Sequence, residues 1–257
     1  MIVLLSPAKT IQCDLNESIP AASQPIFLQE AEQLIAKLRK LKPLQIEKLM
    51  DVSPELAEMN HQRFLQWQPP FHPGNASPAI SCFQGEVYRG LDASTWTAPD
   101  FEFAQRHLRI LSGLYGVLKP LDLMQPYRLE MGLKWAYSSK VPSLYAFWGD
   151  RLALNISDEC EGVVLNLASV EYSKAVLRPA LNARVIHVHF KEEVDGQYKS
   201  FMTYAKHARG KMARFVVRQK ITSPEGILAF TGLGYQFNES LSTPDEWTFT
   251  RPAQSPQ

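Results

Sequence analysis

"LRILSGLYGVLKPLDLMQPYRLEMG", residues 108–132, is the stretch on which the reading of this chain turns. Its apolar start reads as a strand over 109–115, followed by turns at Gly116 and Pro120 and a second strand over 127–131. Within an apolar frame it carries the polar tips of Tyr115, Lys119, Tyr127, Arg128 and Glu130. A packed strand has no need of so many. The stretch is either an irregular crossing of the core or the wall of a site, and its exit strand would bring Tyr127, Arg128 and Glu130 toward a cleft.

Outward from this stretch, strands and helices mix. Residues 2–5 read as a buried strand stopped by Ser6-Pro7. Residues 24–40 repeat apolar side chains at helical spacing, and Pro43 and Pro54 each open a further helix, to Met50 and to about Trp67. Asp100 is placed to cap a helix through Leu108, and 144–160 reads as one helix. "GVVLNLAS" is a buried strand, after which Ser169 can cap a short helix to Val176. "ARVIHVHFKEE" alternates as a strand and pairs with "QYKSFMTY" across Asp195-Gly196, a common hairpin turn. A helix over 205–220 and a hairpin of "YQFNE" with "EWTFTR" close the pattern. The expectation is one α/β (mixed α+β) domain over 1–251, with a central mixed sheet, surrounding helices and a helical insertion at about 24–70. The polar tail, 252–257, is expected to fray.

The 257 residues are 45% apolar and 21% charged, which suits one large globular domain. No apolar run approaches the roughly 20 residues of a membrane span, and "MIVLLSPAKT" lacks the basic flank of a signal peptide. Cys13, Cys82 and Cys160 are odd in number and far apart. The expectation is no disulfide and a reducing cytoplasm. The net charge of +1 hides an asymmetry: "YKSFMTYAKHARGKMARFVVRQK", 198–220, has seven Lys or Arg and no acid. The remaining chain carries 20 basic and 26 acidic residues. A solvated helix face is the plain reading of the basic run. A polyanion contact is the sharper one, because helices of the first kind usually interleave acids for i,i+4 support. Gly210 sits inside this helical pattern at a cost of about 1 kcal/mol against Ala, which asks for a reason such as close backbone packing.

Three constellations can carry chemistry. In "IEKLMDVSPELAEMN", 46–60, two short helices meet at Asp51-Val52-Ser53, an arrangement like a helix-hairpin-helix without its two glycines. Backbone N–H groups at such a second helix meet a DNA phosphate, but Pro54 removes one of them and Asp51 repels the anion. In the basic helix, which also carries Lys211, Lys206, Arg209 and Arg214 can flank one groove. The third is a set of strand-end residues: Lys9, Asp150, Asn166, Ser169, Glu171 and Tyr172. Singly, each of these is more often a cap or an ion-pair member; together they suggest a cleft. No metal is expected, since His187 and His189 share a strand face without a clear third ligand. Phosphate-loop, dinucleotide and hydrolase motifs are missing from the sequence.

"LLSPAKT", "SGLYGVLKPLDLMQPYRLEMG", "FWGD", "NLASVEY" and "YAKHARGKMARF", in this order, resemble the YaaA family of bacterial peroxide-stress proteins over nearly the whole chain. The resemblance implies a fold of the family's own and a cytoplasmic role in the oxidative-stress response, limiting iron-driven damage. It also implies DNA binding through a basic cleft and a helix-hairpin-helix. Carried onto this sequence, the cleft takes Lys9, Arg128, Lys206, Arg209 and Arg214, and the hairpin centres on Val52 and Ser53. No catalytic residue is carried over.

Two functions then compete. The first is a protein that binds duplex or branched DNA without a cofactor, through Lys9, Ser53, Arg128, Lys206, Arg209, Lys211 and Arg214. The second is an enzyme acting on a nucleotide or nucleobase, for which Tyr127, Glu130, Asn166, Ser169 and Glu171 supply polar groups beside the same cations. An open groove favours the first, and a closed pocket with converging carboxylates the second.

Overall fold

A computed structural model describes residues 1–13, 19 and 23–253. Its strands are β1 (Ile2–Leu5), β2 (Ser77–Pro78), β3 (Leu108–Ser112), β4 (Gly116–Leu118), β5 (Leu123–Met124), β6 (Val163–Asn166), β7 (Arg184–Val194), β8 (Gln197–Lys199), β9 (Gln236–Phe237) and β10 (Glu246–Pro252). The helices are α1 (Leu28–Leu38), α2 (Pro43–Met50), α3 (Pro54–Gln66), α4 (Ala79–Cys82), α5 (Glu86–Leu91), α6 (Ala98–His107), α7 (Leu144–Trp148), α8 (Arg151–Glu159), α9 (Val170–Ser173) and α10 (Met202–Arg218).

The main sheet runs β4-β3-β1-β6-β7-β10-β9, with β8 added to β7. β3, β1, β6, β7 and β10 are mutually parallel, and β4, β8 and β9 pair antiparallel at the margins. This is the expected single domain with a mixed sheet. All four side chains of β1 are buried, as a strand covered on both faces requires. Each contributes roughly 1.5–3 kcal/mol of apolar burial. From β1 the chain crosses to β3 on one side and later returns to β6 on the other, so the direction of winding reverses between β1 and β6.

Residues 108–132 are core first and wall second. Tyr115 and Tyr127 are buried. The Tyr115 hydroxyl accepts from Trp67 Nε1 at 2.8 Å and donates to the Gln125 carbonyl at 3.1 Å. The Tyr127 hydroxyl lies 2.6 Å from Ser112 Oγ. Residues 127–131 are not the expected second strand: they join no ladder. Gly113 lies so close to the Leu129 carbonyl that no side chain fits between them. The segment therefore packs on β3 without pairing to it.

Other boundaries shift for physical reasons. The first amphipathic helix begins at Leu28 rather than Gln24. Thr97 caps α6, and Asp100 is the third residue of its capping box, with Asp100 Oδ2 accepting from the Thr97 N–H at 2.9 Å. The expected helix over 144–160 is two helices, because Gly149 leaves the helical region at φ 52°. Asp195 and Gly196, both at positive φ, turn β7 into β8. β8 ends at Lys199, and α10 starts at Met202, earlier than expected. β9 and β10 form the closing hairpin, and β10 reaches Pro252. Residues 254–257, the rest of the expected tail, lie outside the described residues.

The cysteine expectation is overturned. Cys13 and Cys82 are joined by a disulfide, with Cα atoms 4.3 Å apart. An antiparallel bridge between Ile11 and Phe83 and a bond from Gln12 N–H to the Cys82 carbonyl bring them together. Their separation of 69 residues gives no sequence sign of that bridge.

Candidate functional site

At the carboxyl ends of β1 and β6, where the winding reverses, lies a cavity of about 580 Å³. Ligands of open parallel sheets sit in this place, because the chains leaving neighbouring strands part to opposite faces and leave a crevice. The segment 6–10 after β1 forms one wall, Leu167 and 169–172 after β6 a second, and 84–88 a third. Met202, Lys206 and Arg209 of α10 face it, and Glu130 closes it.

The first two walls are tied together. Ser6 Oγ accepts from the Ser169 N–H at 2.8 Å and donates to Ser169 Oγ at 3.2 Å. Ser169 thus stands at the N-cap of α9 without making a side-chain cap bond. The third wall is tied to the first by the Tyr88 hydroxyl, which donates to the Ser6 carbonyl at 2.9 Å. Burial pushes the Tyr88 and Tyr172 hydroxyls above their ordinary range, with Tyr127 adding to it, so both stay protonated.

α10 is held over the cavity by its glycine. A Cβ on Gly210 would overlap the Val87 carbonyl, and one on Gly90 would overlap the His207 carbonyl. The α5 and α10 backbones approach too closely for any side chain at either position. That approach explains the glycine inside the basic helix, and it aims Arg209, the residue before it, and Lys206, one turn earlier, at the cavity.

Five of the seven cations of the 198–220 run divide into two groups. Arg214 forms an ion pair with Asp92, and the Arg214 guanidinium holds the Asp92 carboxyl below the usual range. Arg218 and Lys220 both bind Asp100, at 2.8 and 2.6 Å. The end of the run, from Arg214 on, is thus neutralised by acids of 92–100. Lys206 and Arg209 make no hydrogen bond or ion pair among the described residues. Arg209 is largely buried, its Nε has no hydrogen-bond partner, and burial lowers its pKa because a guanidinium out of water resists charging.

The carboxylates of the cavity are engaged. Glu130 Oε1 takes Lys9 Nζ at 3.3 Å and Arg128 Nη2 at 3.0 Å. Glu171 Oε1 accepts from the Gly132 N–H at 2.9 Å. Glu86 pairs with Arg89 and lies 3.2 Å from His207 Nδ1. Burial, and then Lys211 and Arg89, lower the His207 pKa, so this contact is a hydrogen bond of the neutral ring at pH 7.

Lys9, Glu130, Ser169, Glu171, Lys206 and Arg209 therefore meet in one place, and Arg128 joins them through Glu130. Tyr127 stands behind the wall with its hydroxyl on Ser112. Asn166 shapes the turn after β6: its Oδ1 accepts from the Ala168 N–H at 3.0 Å, and its Nδ2 lies 3.0 Å from His187 Nδ1. His189 is taken by Glu246. Asp150 bonds Arg178 at 2.6 Å, away from the cavity. Arg214, Lys211 and Ser53 do not line the cavity. Asp51, in a left-handed conformation, joins α2 to α3, and Ser53 Oγ accepts weakly from the Leu56 N–H at 3.4 Å. The wall at 84–88 and Met202 were not legible as site residues. Gln84 and Val87 carry no chemical signature, and the only sign nearby is Gly85, which sits at φ 117°.

The family described as peroxide stress protein YaaA matches this chain over residues 1–241. The chain belongs to that family. Its place is thus in the response to peroxide stress, and four of the five sequence blocks that carried the resemblance meet at the cavity. "LLSPAKT" and "NLASVEY" leave β1 and β6 into the cavity, "YAKHARGKMARF" lays α10 over it, and Glu130 of the long central block closes it. "FWGD" ends α7 in the core, with Trp148 Nε1 donating to the Gly113 carbonyl at 3.1 Å. Among the described residues, no helix is long and apolar enough to cross a membrane.

Proposed function

We propose that this peroxide-stress protein binds duplex or branched DNA, in the cytoplasm, and limits iron-driven damage to it. The observation that carries the reading is the pair of cations at the cleft, Lys206 and Arg209, for which the described residues supply no acid partner. A cation already neutralised by a carboxylate gains little from a phosphate. A cation without one gains both the contact and the release of counterions from the DNA. Lys9 and Arg128 share one carboxylate, Glu130, and so leave a single positive charge at the edge of the cleft. The α2–α3 turn would be a second and weaker contact, since Asp51 and Pro54 stand where an anion site needs N–H groups.

The site is a pocket with carboxylates in its lining, as the enzyme reading expects, but those carboxylates are already engaged, and that supports binding over catalysis. Glu130 is held between Lys9 and Arg128, and Glu171 by the Gly132 N–H, so both carboxylates act as wall and counter-charge rather than as free proton acceptors. The test is fluorescence anisotropy with a labelled duplex and a four-way junction across a salt series. Affinity should fall linearly in log–log form, with a slope of about −0.9 for each phosphate neutralised. No binding at low ionic strength, or binding indifferent to salt, would sink the reading.

A further inference from the structure

We infer that the cavity takes a single nucleoside monophosphate unit, with its phosphate on Lys206 and Arg209 and its base against the apolar rim. The inference rests on the reading of this cleft as a nucleic-acid contact and names the unit the cleft receives. The cavity, about 580 Å³, falls within the roughly 300–1,000 Å³ of small-molecule sites and is a concave pocket rather than a groove. A duplex can lie across its mouth but cannot enter it; one nucleotide can.

The lining divides by chemistry. At one side stand Lys206 and the largely buried Arg209, whose Nε has no partner and whose charge is costly until an anion meets it. At the rim stand Val170 and Met202, 81% and 79% exposed, apolar side chains that a monomer gains nothing by presenting to water. Such side chains pack on the faces of unstacked bases. In the same lining, Glu130 and Glu171 offer carboxylate oxygens of the kind that accept from the exocyclic amino group of a base. An anion, a flat apolar body and hydrogen-bond donors on its edge are the three features of a nucleotide. A free nucleotide and a residue swung out of a DNA strand present the same chemistry.

Two probes test this on the intact protein. Calorimetry compares deoxyadenosine 5′-monophosphate with deoxyadenosine. Fluorescence follows 2-aminopurine placed opposite an abasic site in a duplex. The nucleotide is expected to bind at least tenfold more tightly than the nucleoside. Lys206→Gln should remove most of that difference, and Met202→Asp should weaken both ligands; both positions are exposed, and thermal melts check folding. Calorimetric binding without a 2-aminopurine signal supports the site and names a free nucleotide as its occupant. A rise in 2-aminopurine fluorescence supports it and names the extruded residue. Equal affinity for nucleotide and nucleoside, or no signal from either probe while duplex anisotropy is intact, overturns the inference and leaves DNA binding standing. Nucleotide binding with no duplex binding keeps the pocket and sinks the DNA reading instead.

Discussion

Arg209 and Arg214 lie five residues apart on α10 and meet opposite fates. One faces a cavity with its Nε unpartnered; the other is held by Asp92, 122 residues away in sequence. No window of sequence separates them, because the neutralising acids come from 92–100. What the sequence did show is that the run carries none of its own. Asp100 gives this a measurable consequence. Burial opposes its ionisation, yet hydrogen bonds from Lys220 and Thr97 and the nearby ammonium hold its carboxyl well below the usual range. The folded pKa is depressed, so its contribution to stability is complete above the unfolded value of about 3.9 and is lost as pH falls through the folded value. Asp100→Asn should therefore lower the melting temperature at pH 7, and the gap from the parent protein should narrow progressively below about pH 4. A gap that stays constant down to acid denaturation would show that the ion pair contributes nothing.

Two elements, α5 and α10, owe their contact to Gly90 and Gly210. Helix propensity alone expects Gly210→Ala to stabilise α10 by about 1 kcal/mol. The Val87 carbonyl reverses that sign: Gly210→Ala should lower the melting temperature, since a backbone oxygen cannot move aside as a side chain can. An unchanged or raised value would mean the helices are further apart than described. At this scale much was legible. The hairpin at Asp195-Gly196, the prolines opening α2 and α3 and the buried β1 follow from local chemistry. The extended segment 127–131 has the composition of a strand; that it packs at the end of β3 without pairing is a tertiary fact, enforced at Gly113. The cleft was half legible for the same reason. Lys9, Ser169 and Glu171 follow strand ends that composition reveals, whereas 84–88 reaches the site through tertiary contacts, the packing of α5 on α10 and the Tyr88 bond to Ser6.

Across the whole molecule, two long-range ties set the cavity's shape: the close packing of α5 on α10 and the Cys13–Cys82 disulfide, which joins the segment after Lys9 to the segment before Gln84. Closing a loop of 69 residues is worth about 4 kcal/mol in the chain-entropy account. Reduction by a small thiol, or Cys13→Ser, should lower the melting temperature by several degrees, and an identical melt in both redox states would argue against the bond. The central claim is that cations left without acid partners, rather than the basic run as such, carry the DNA contact. It is tested most directly by comparing duplex affinity at one low salt concentration for two double variants of matched charge, Lys206→Gln with Arg209→Gln and Arg214→Gln with Arg218→Gln, each checked for folding by thermal melt. The account predicts a loss of tenfold or more for the first pair and less than threefold for the second. Equal losses, or a larger loss for the second pair, would contradict it.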